Sequence, residues 1–361
     1  MDKFVLKNGK RLKCGFTTGT CAAAAATAGA LMIFTGKTVA NVSVRLPRGE
    51  ILIIDIKDPS FNTHGVRCCV QKDSGDDPDS TDGILIYADV ELDDSGEIRI
   101  DGGKGVGRVT QNGLDCPVGG PAINSVPRKM ITENVHRICN EYGYRGGVNI
   151  IISAPEGEEV AKKTFNPHLG IVGGISIIGT TGIVEPMSEK ALIDSLKVEM
   201  QVIKERGFNT LLAFPGNYAE SFIDSTLGIR GENSLKYSNY LGEVLDFALE
   251  LNYKEILVVG HIGKMIKVAG GMMNTHSHTG DFRMEMFACY AGLYGAGSHV
   301  IEEILSSVTT EQVLEILIRE DLLKKVIQKI SERALFYINK RVDNRIITKL
   351  IIYSNNHGIL N

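Results

Sequence analysis

The sequence lacks any surplus of positive charge. Its 361 residues carry 39 Lys and Arg against 43 Asp and Glu, a formal net charge of -4. A nucleic-acid binder normally presents a basic face, so nucleic acid is not an expected partner. A small anionic ligand stays open, because a few local cations and helix termini suffice to hold one. Long hydrophobic runs are missing as well. None approaches the roughly 20 residues that span a bilayer, and the opening MDKFVLKNGKRL has no apolar core of a signal peptide. No membrane partner is expected. Cysteine is sparse and unpatterned. The seven are an odd number without a Cys-x-x-Cys pair, which argues against a disulfide framework and structural zinc. The neighbours Cys68 and Cys69 read as strand residues on opposite faces. A reducing, cytoplasmic compartment is expected.

What is present belongs to an ordinary globular chain, with 43% hydrophobic and 23% charged residues. The most informative stretch is Lys13-Cys14-Gly15-Phe16-Thr17-Thr18-Gly19-Thr20-Cys21, which runs into alanines 22–26. Alanine carries the lowest helix cost and Thr20 is a good N-cap, so a helix is expected from about Cys21 to Phe34. The loop before it would then turn free N–H groups and three hydroxyls towards an anionic ligand. A second loop of this kind, Gly179-Thr180-Thr181-Gly182, follows the apolar run Ile175–Ile178.

Two patterns divide the chain. Up to about residue 160, short strands alternate with few helices. A hairpin is expected over 42–46 and 51–56 around Pro47-Arg48-Gly49, with strands at 66–70, 84–92, 98–101 and 148–152 and a helix over 129–142. This is an α+β pattern. From 161 to 295 the expectation is an α/β, Rossmann-like domain with a parallel sheet. Its strands would be 175–178, 210–214 and 255–259, separated by helices over 188–206 and 238–251. Residues 296–361 read as a helical tail with a last strand at 347–353, its start marked by the capping box Thr309/Gln312. Ligands bind beyond the carboxyl ends of parallel strands. Gly179–Gly182, Pro215–Asn217 and Gly260–Lys264 are therefore expected to meet at one edge of that sheet.

Other motifs are weighed against plainer readings. Gly102-Gly103-Lys104-Gly105-Val106-Gly107 resembles a dinucleotide loop, but no helix follows it, so it reads as a turn. The carboxylates between Asp73 and Asp82 miss the calcium-loop register, and a solvated acidic turn is the expectation. Asn274-Thr275-His276-Ser277-His278 is polar and follows a Gly-Gly pair. His276 and His278 suit proton transfer or hydrogen bonding, since histidine titrates near neutral pH. Metal coordination is not expected there, for want of further ligands at suitable spacing. Arg128, before a helix, and Lys264, at a helix start in the expected crevice, are candidate counter-charges, as is Arg283.

Together these segments resemble the CbiD family, the cobalt-precorrin-5B C(1)-methyltransferases of anaerobic cobalamin biosynthesis. The resemblance is carried by Cys14–Ala23, Gly103–Thr110 (GKGVGRVT), Pro117–Asn124, Val126-Pro127-Arg128 and Thr164-Phe165-Asn166-Pro167. It continues through Gly173–Ser188, Gly260-His261-Ile262-Gly263-Lys264 and Asn274-Thr275-His276-Ser277. It implies transfer of the methyl group of S-adenosylmethionine to ring carbon 1 of cobalt-precorrin-5B, giving cobalt-precorrin-6A, with cobalt present only as part of the tetrapyrrole substrate. Under that reading His276 and His278 are the catalytic candidates. The binding candidates are Thr17, Thr18, Gly19, Thr20, Arg128, Gly179, Thr180, Thr181, Gly182, Glu185, Asn217, His261, Lys264 and Asn274. A homo-oligomer is compatible with the sequence. Two alternatives stay open: a non-catalytic tetrapyrrole carrier, and a phosphotransferase using both Gly/Thr loops, although neither loop has the Gly-Lys-[Ser/Thr] pattern.

Overall fold

The alanine run forms the central helix of the amino-terminal half. Helix α1 covers Thr18–Thr35, starting before the expected position because its N-cap is Thr17, whose hydroxyl accepts from the Thr20 N–H. Gly36 ends it in the left-handed region and donates its N–H to the Met32 carbonyl. The computed structural model describes residues 3–7 and 9–361. The chain divides into two units, Met1–Glu189 and Lys190–Asn361.

In the first unit the hairpin β1 (Asn41–Arg45) and β2 (Ile51–Asp55) forms as expected, pairing Val42 with Ile54 and Val44 with Leu52. A five-stranded sheet follows from β3 (Lys57–Phe61), β4 (Gly65–Gln71), β5 (Leu85–Asp93) and β6 (Ile98–Gly102). Helix α2 (Ser125–Glu141) leads to the closing strand β7 (Gly147–Ser153). The sheet order is β3-β4-β5-β7-β6, antiparallel except for the β7–β6 pair. Side chains alternate across it. Val66, Cys68, Val70, Ile86, Ala88, Val90, Val148, Ile150 and Ile152 face the core that α1 and α2 cover. Cys68 donates to the Ala25 carbonyl on that inner side, while Cys69 meets Asp58, so the two cysteines do take opposite faces.

Small residues let α1 lie close on the sheet. A Cβ at Gly29 would come 2.6 Å from Val90 Cγ2. By length and hydropathy α1 could cross a membrane. Its residues from Cys21 to Ala26 are nevertheless fully covered by this unit.

The second unit opens with α3 (Glu189–Glu205), followed by β8 (Thr210–Phe214) and the short helix α4 (Asn217–Phe222). Next come β9 (Ser234–Lys236), α5 (Leu241–Glu250), β10 (Glu255–His261) and α6 (Ile262–Ala269). Four helices follow, α7 (Arg283–Leu293), α8 (Ser298–Leu305), α9 (Thr310–Arg319) and α10 (Leu323–Arg341), before β11 (Ile347–Ser354) and β12 (Gly358–Ile359). The sheet order is β9-β8-β10-β11-β12, parallel apart from the last, short strand. The last long strand thus finds its partner in β10, pairing Glu255 with Ile347. The capping box of Thr309 and Gln312 forms at the start of α9.

Two expectations are corrected. Residues 175–178 are not a strand of the parallel sheet. Gly174–Ile175 pairs with Gly105–Val106, and Ile177 bridges to Ile123, all within the first unit. The division accordingly falls after Glu189 and not near 160, and the tail from 296 packs into the core of the second unit.

Candidate functional site

The sequence-predicted residues separate into two groups. Thr17–Thr20, Arg128, Gly179–Gly182 and Glu185 belong to the first unit, and Asn217, His261, Lys264, Asn274, His276 and His278 to the second. The expected meeting of Gly179–Gly182 with the strand-end loops of the parallel sheet loses its basis, since residues 175–178 lie outside that sheet.

In the first unit the two Gly/Thr loops close on each other. The Thr18 hydroxyl lies 3.2 Å from the Ser176 carbonyl and 3.3 Å from that of Ile178, and it accepts the Ile178 N–H at 2.9 Å. Thr20 donates to the Gly182 carbonyl at 2.7 Å, and the N–H of Gly19 to that of Ile178 at 3.0 Å. A Cβ at Gly179, where φ is +137°, would lie 2.2 Å from Thr17 Oγ1. Thr181 turns its hydroxyl onto its own backbone at Ile183. The expected open anion cradle is therefore filled by the chain's own carbonyls, which satisfy the helix amino terminus.

Arg128 is engaged in the same way. Its Nε donates to the Ile123 carbonyl and its Nη1 to that of Ile100, each at 2.9 Å. Both contacts join backbone segments. Thr180 and Glu185 stay exposed. So do the apolar side chains Val118, Phe165, Ile178 and Met187, which stand on the segments that carried the resemblance.

The acidic loop is also corrected. It is a clamp and not a solvated turn. Lys72 is buried and reaches Asp79 Oδ2 at 2.6 Å, Lys13 meets Asp73 at 2.7 Å, and the Ser74 N–H donates to Asp82 at 2.8 Å. The Met187 N–H donates to Asp77 at 3.0 Å. Burial pushes the Asp79 carboxyl up, but the Lys72 ammonium and the Thr81 hydrogen bonds outweigh it, leaving the group below its usual value. On the edge strand β6, a concavity of about 700 Å³ is lined by Arg99, Asp101, Arg108 and Asn149 among others. Arg108 pairs with Asp101 at 2.9 Å and donates to the Gly102 carbonyl at 2.7 Å. The glycine-rich turn beside it is structural. A Cβ on Gly105 would fall 1.8 Å from the Ala154 carbonyl oxygen.

The second unit has a topological switch point between β8 and β10. Strand β8 is followed by α4, which packs on one sheet face with Leu212, Phe214 and Val259. Strand β10 is followed by α6, which packs into the core on the other face. Adjacent strands whose connections leave in opposite directions part at their carboxyl ends, the usual ligand position in such sheets. Asn217 stands at the β8 end with its side-chain oxygen held by Lys236 at 3.0 Å. His261 ends β10 and caps α6, accepting the Gly263 N–H on Nδ1 at 3.1 Å and facing Glu311 through Nε2 at 3.1 Å.

Lys264 follows in the first turn of α6. Its ammonium donates to the Ser238 carbonyl at 2.9 Å and Asn239 Oδ1 at 2.8 Å. Burial, aided by repulsion from Lys267, pushes its pKa down to about 8. Asn239 also accepts from the Thr275 hydroxyl at 3.2 Å, which ties the 274–278 loop to Lys264. Asn274 holds the His276 N–H at 3.0 Å, and His276 Nδ1 accepts the His278 N–H at 3.1 Å. The two exposed imidazoles meet edge-on, their centres 5.0 Å apart. Sequence reasoning missed Glu311 and Asn239. Glu311 carried no local signal beyond its place in a capping box, and residues 238–240 were assigned to a helix.

Known proteins align along this whole arrangement. The CbiD family model matches residues 5–186, and the model described as CbiD, C-terminal domain, matches residues 274–361. A Ruminiclostridium cellulolyticum protein named cobalt-precorrin-5B C(1)-methyltransferase is 48% identical over 98% of this chain and 92% of its own. A protein of the same name from Thermoanaerobacter sp. (strain X514) is 42% identical over 100% and 98%. The crystal structure of a cobalamin biosynthesis protein (cbiD) from Archaeoglobus fulgidus is 31% identical, with a TM-score of 0.42 over 76% of this chain and 86% of that one. With family models matching more than half of its residues and relatives matching nearly all of them, this chain belongs to the CbiD family.

Proposed function

We infer that this chain methylates ring carbon 1 of cobalt-precorrin-5B, with S-adenosylmethionine as donor, in cobalamin biosynthesis. The observation that carries the reading is the near-complete alignment, at 48% identity, with a protein bearing that activity in its name. The Rossmann-like arrangement of the second unit supports it physically. The carboxyl ends of its parallel strands suit a nucleoside-bearing donor, and Asn217, His261 and Lys264 follow or end the adjacent strands β8 and β10.

The chemistry asks little acid or base of the protein. The sulfonium donor is already activated. An electron pair on the ring carbon forms the new C–C bond as the C–S bond breaks, leaving a neutral thioether. Rate then comes mainly from alignment and exclusion of water. Carboxylate arms on the tetrapyrrole rim need dispersed N–H donors and cations. Lys264, which loses its proton near pH 8, is a charge-bearing candidate for them. His276 and His278, exposed on the loop that Asn239 ties to Lys264, are candidates for accepting a proton from the methylated ring. Cobalt enters with the substrate. The Thr17–Thr20 and Gly179–Gly182 loops act by holding the first unit together, leaving Thr180 and, just beyond them, Glu185 at the surface.

Incubation with methyl-labelled S-adenosylmethionine and cobalt-precorrin-5B separates the readings. A methyltransferase moves label into the tetrapyrrole and releases one S-adenosylhomocysteine per label. A carrier binds the tetrapyrrole without label transfer, and a phosphotransferase ignores the donor.

A further inference from the structure

Glu311 carries the one buried carboxylate oxygen among the described residues that has no hydrogen-bond partner. Its surroundings explain which oxygen is left. His261 accepts the Gly263 N–H on Nδ1, so the ring proton sits on Nε2 and is directed at Glu311 Oε1. The Tyr353 ring stands edge-on to the imidazole at 5.4 Å, and Phe222 stacks on Tyr353 at 4.1 Å, which fixes the imidazole from its other side. One oxygen is thereby taken and the other, Oε2, is left without a donor. A purely structural ion pair satisfies both oxygens or leaves the second to water. Glu315, one turn further along α9, does the latter, with its side chain 62% exposed.

The place of this orphan matters. His261 closes β10, the strand beside the parting with β8, and α9 brings Glu311 to that same end of the sheet. The Glu311 and His261 side chains are 23% and 24% exposed, so the pair lies near the surface at this end of the sheet, and a rotation of the terminal carboxylate would turn the covered oxygen outward. A carboxylate oxygen accepts only, so its partner is a donor. Lys264 and Lys267 lie on the adjoining helix, and Arg283 lies near enough to act on the His261 charge. A second ammonium is disfavoured in that field, whereas a neutral hydroxyl is not.

We propose that Glu311, oriented by His261, binds a ribose hydroxyl of the methyl donor. The proposal rests on the donor reading above. Isothermal titration of wild type, Glu311→Gln, Glu311→Asp and Glu315→Gln tests it with three probes: S-adenosylhomocysteine, methylthioadenosine and 2′,3′-dideoxy-methylthioadenosine. Glu311→Gln keeps an oxygen for His261 and so preserves the fold. Glu311→Asp keeps the charge but withdraws it, and melting curves report the integrity of each variant. Both Glu311 variants should bind the two ribosides about 10-fold more weakly, the usual effect of losing one hydrogen bond to a charged group. The dideoxy probe should bind wild type and variants alike, and Glu315→Gln should bind as wild type does. Unchanged riboside affinity overturns the proposal, as does a loss confined to S-adenosylhomocysteine or an equal loss for the dideoxy probe. Wild type binding neither riboside would instead remove the donor reading and this site with it.

Discussion

Lys72 and Asp79 carry the clearest electrostatic consequence at the scale of single residues. Lys72 has 2% of its side chain exposed, and its ammonium lies 2.6 Å from Asp79. Removing one partner leaves the other charge uncompensated in a dry site, a change that costs about 3–5 kcal/mol. Asp79→Asn should therefore lower the urea midpoint by that equivalent, while Lys72→Met combined with Asp79→Asn should recover most of the loss. The depressed carboxyl also fixes a sign. The stability it contributes is present above the ordinary aspartate value of 3.8 and is lost as pH falls through the lower folded value. The run of aspartates carries no hint of this, because nothing in the chain marks the partner cations Lys13 and Lys72 for an ion pair.

Lys264 has the same sign in a higher pH range, because its pKa too is depressed in the folded state. An unfolded lysine keeps its proton to about its ordinary 10.5, whereas the folded one releases it near pH 8. Between those values the unfolded state binds more protons, so stability rises with pH. Urea titrations at pH 7.5 and 10 should show a gain on the order of 1–3 kcal/mol that Lys264→Met lacks. An equal pH dependence in both proteins would place the ammonium in solvent. The sequence did single out Lys264, from its position after a parallel strand and at a helix start, and the structure puts it there.

Among the elements, α1 shows what a motif can and cannot announce. The alanines specify a buried helix, and the structure has one. Three threonines precede them, however, and any of the three can cap. Thr17 does so because Thr18 and Thr20 are drawn to the carbonyls of Ser176, Ile178 and Gly182, more than 150 residues away in sequence. Such long-range partners leave no local trace. Thr18→Val keeps the volume and strips three hydrogen-bond contacts, with the part-buried Ile178 N–H losing its acceptor. A loss of roughly 1–3 kcal/mol in stability is expected. Affinity of the folded protein for S-adenosylhomocysteine and substrate should be unchanged, and a fall in affinity without loss of stability would restore the loop as a ligand cradle. The run 175–178 shows the same limit. Four apolar residues between turns announce a buried strand but not its sheet, and the structure pairs this one with Gly105–Val106.

For the whole molecule, β8, β10 and β11 were legible as strands from apolar runs set between helical stretches, whereas the short strand β9 and the pairing of β11 with β10 were not. Nor was the boundary. The run 175–178 reads in sequence as the first strand of an α/β repeat, whereas the short strands between 171 and 184 pair with residues 15–16, 105–109 and 122–124. The CbiD family model ends at residue 186, close to the division after Glu189. Asn217, His261 and Lys264 fall between the two family-model matches but inside the full-length alignments with the named methyltransferases.

The central claim is methyl transfer to one carbon, and it is met most directly by carbon-13 NMR of the tetrapyrrole after reaction with [methyl-13C]-S-adenosylmethionine. The account predicts one new labelled methyl resonance, coupled to ring carbon 1, appearing in step with S-adenosylhomocysteine. Label at another ring position, or tight tetrapyrrole binding with no label at all, would contradict it.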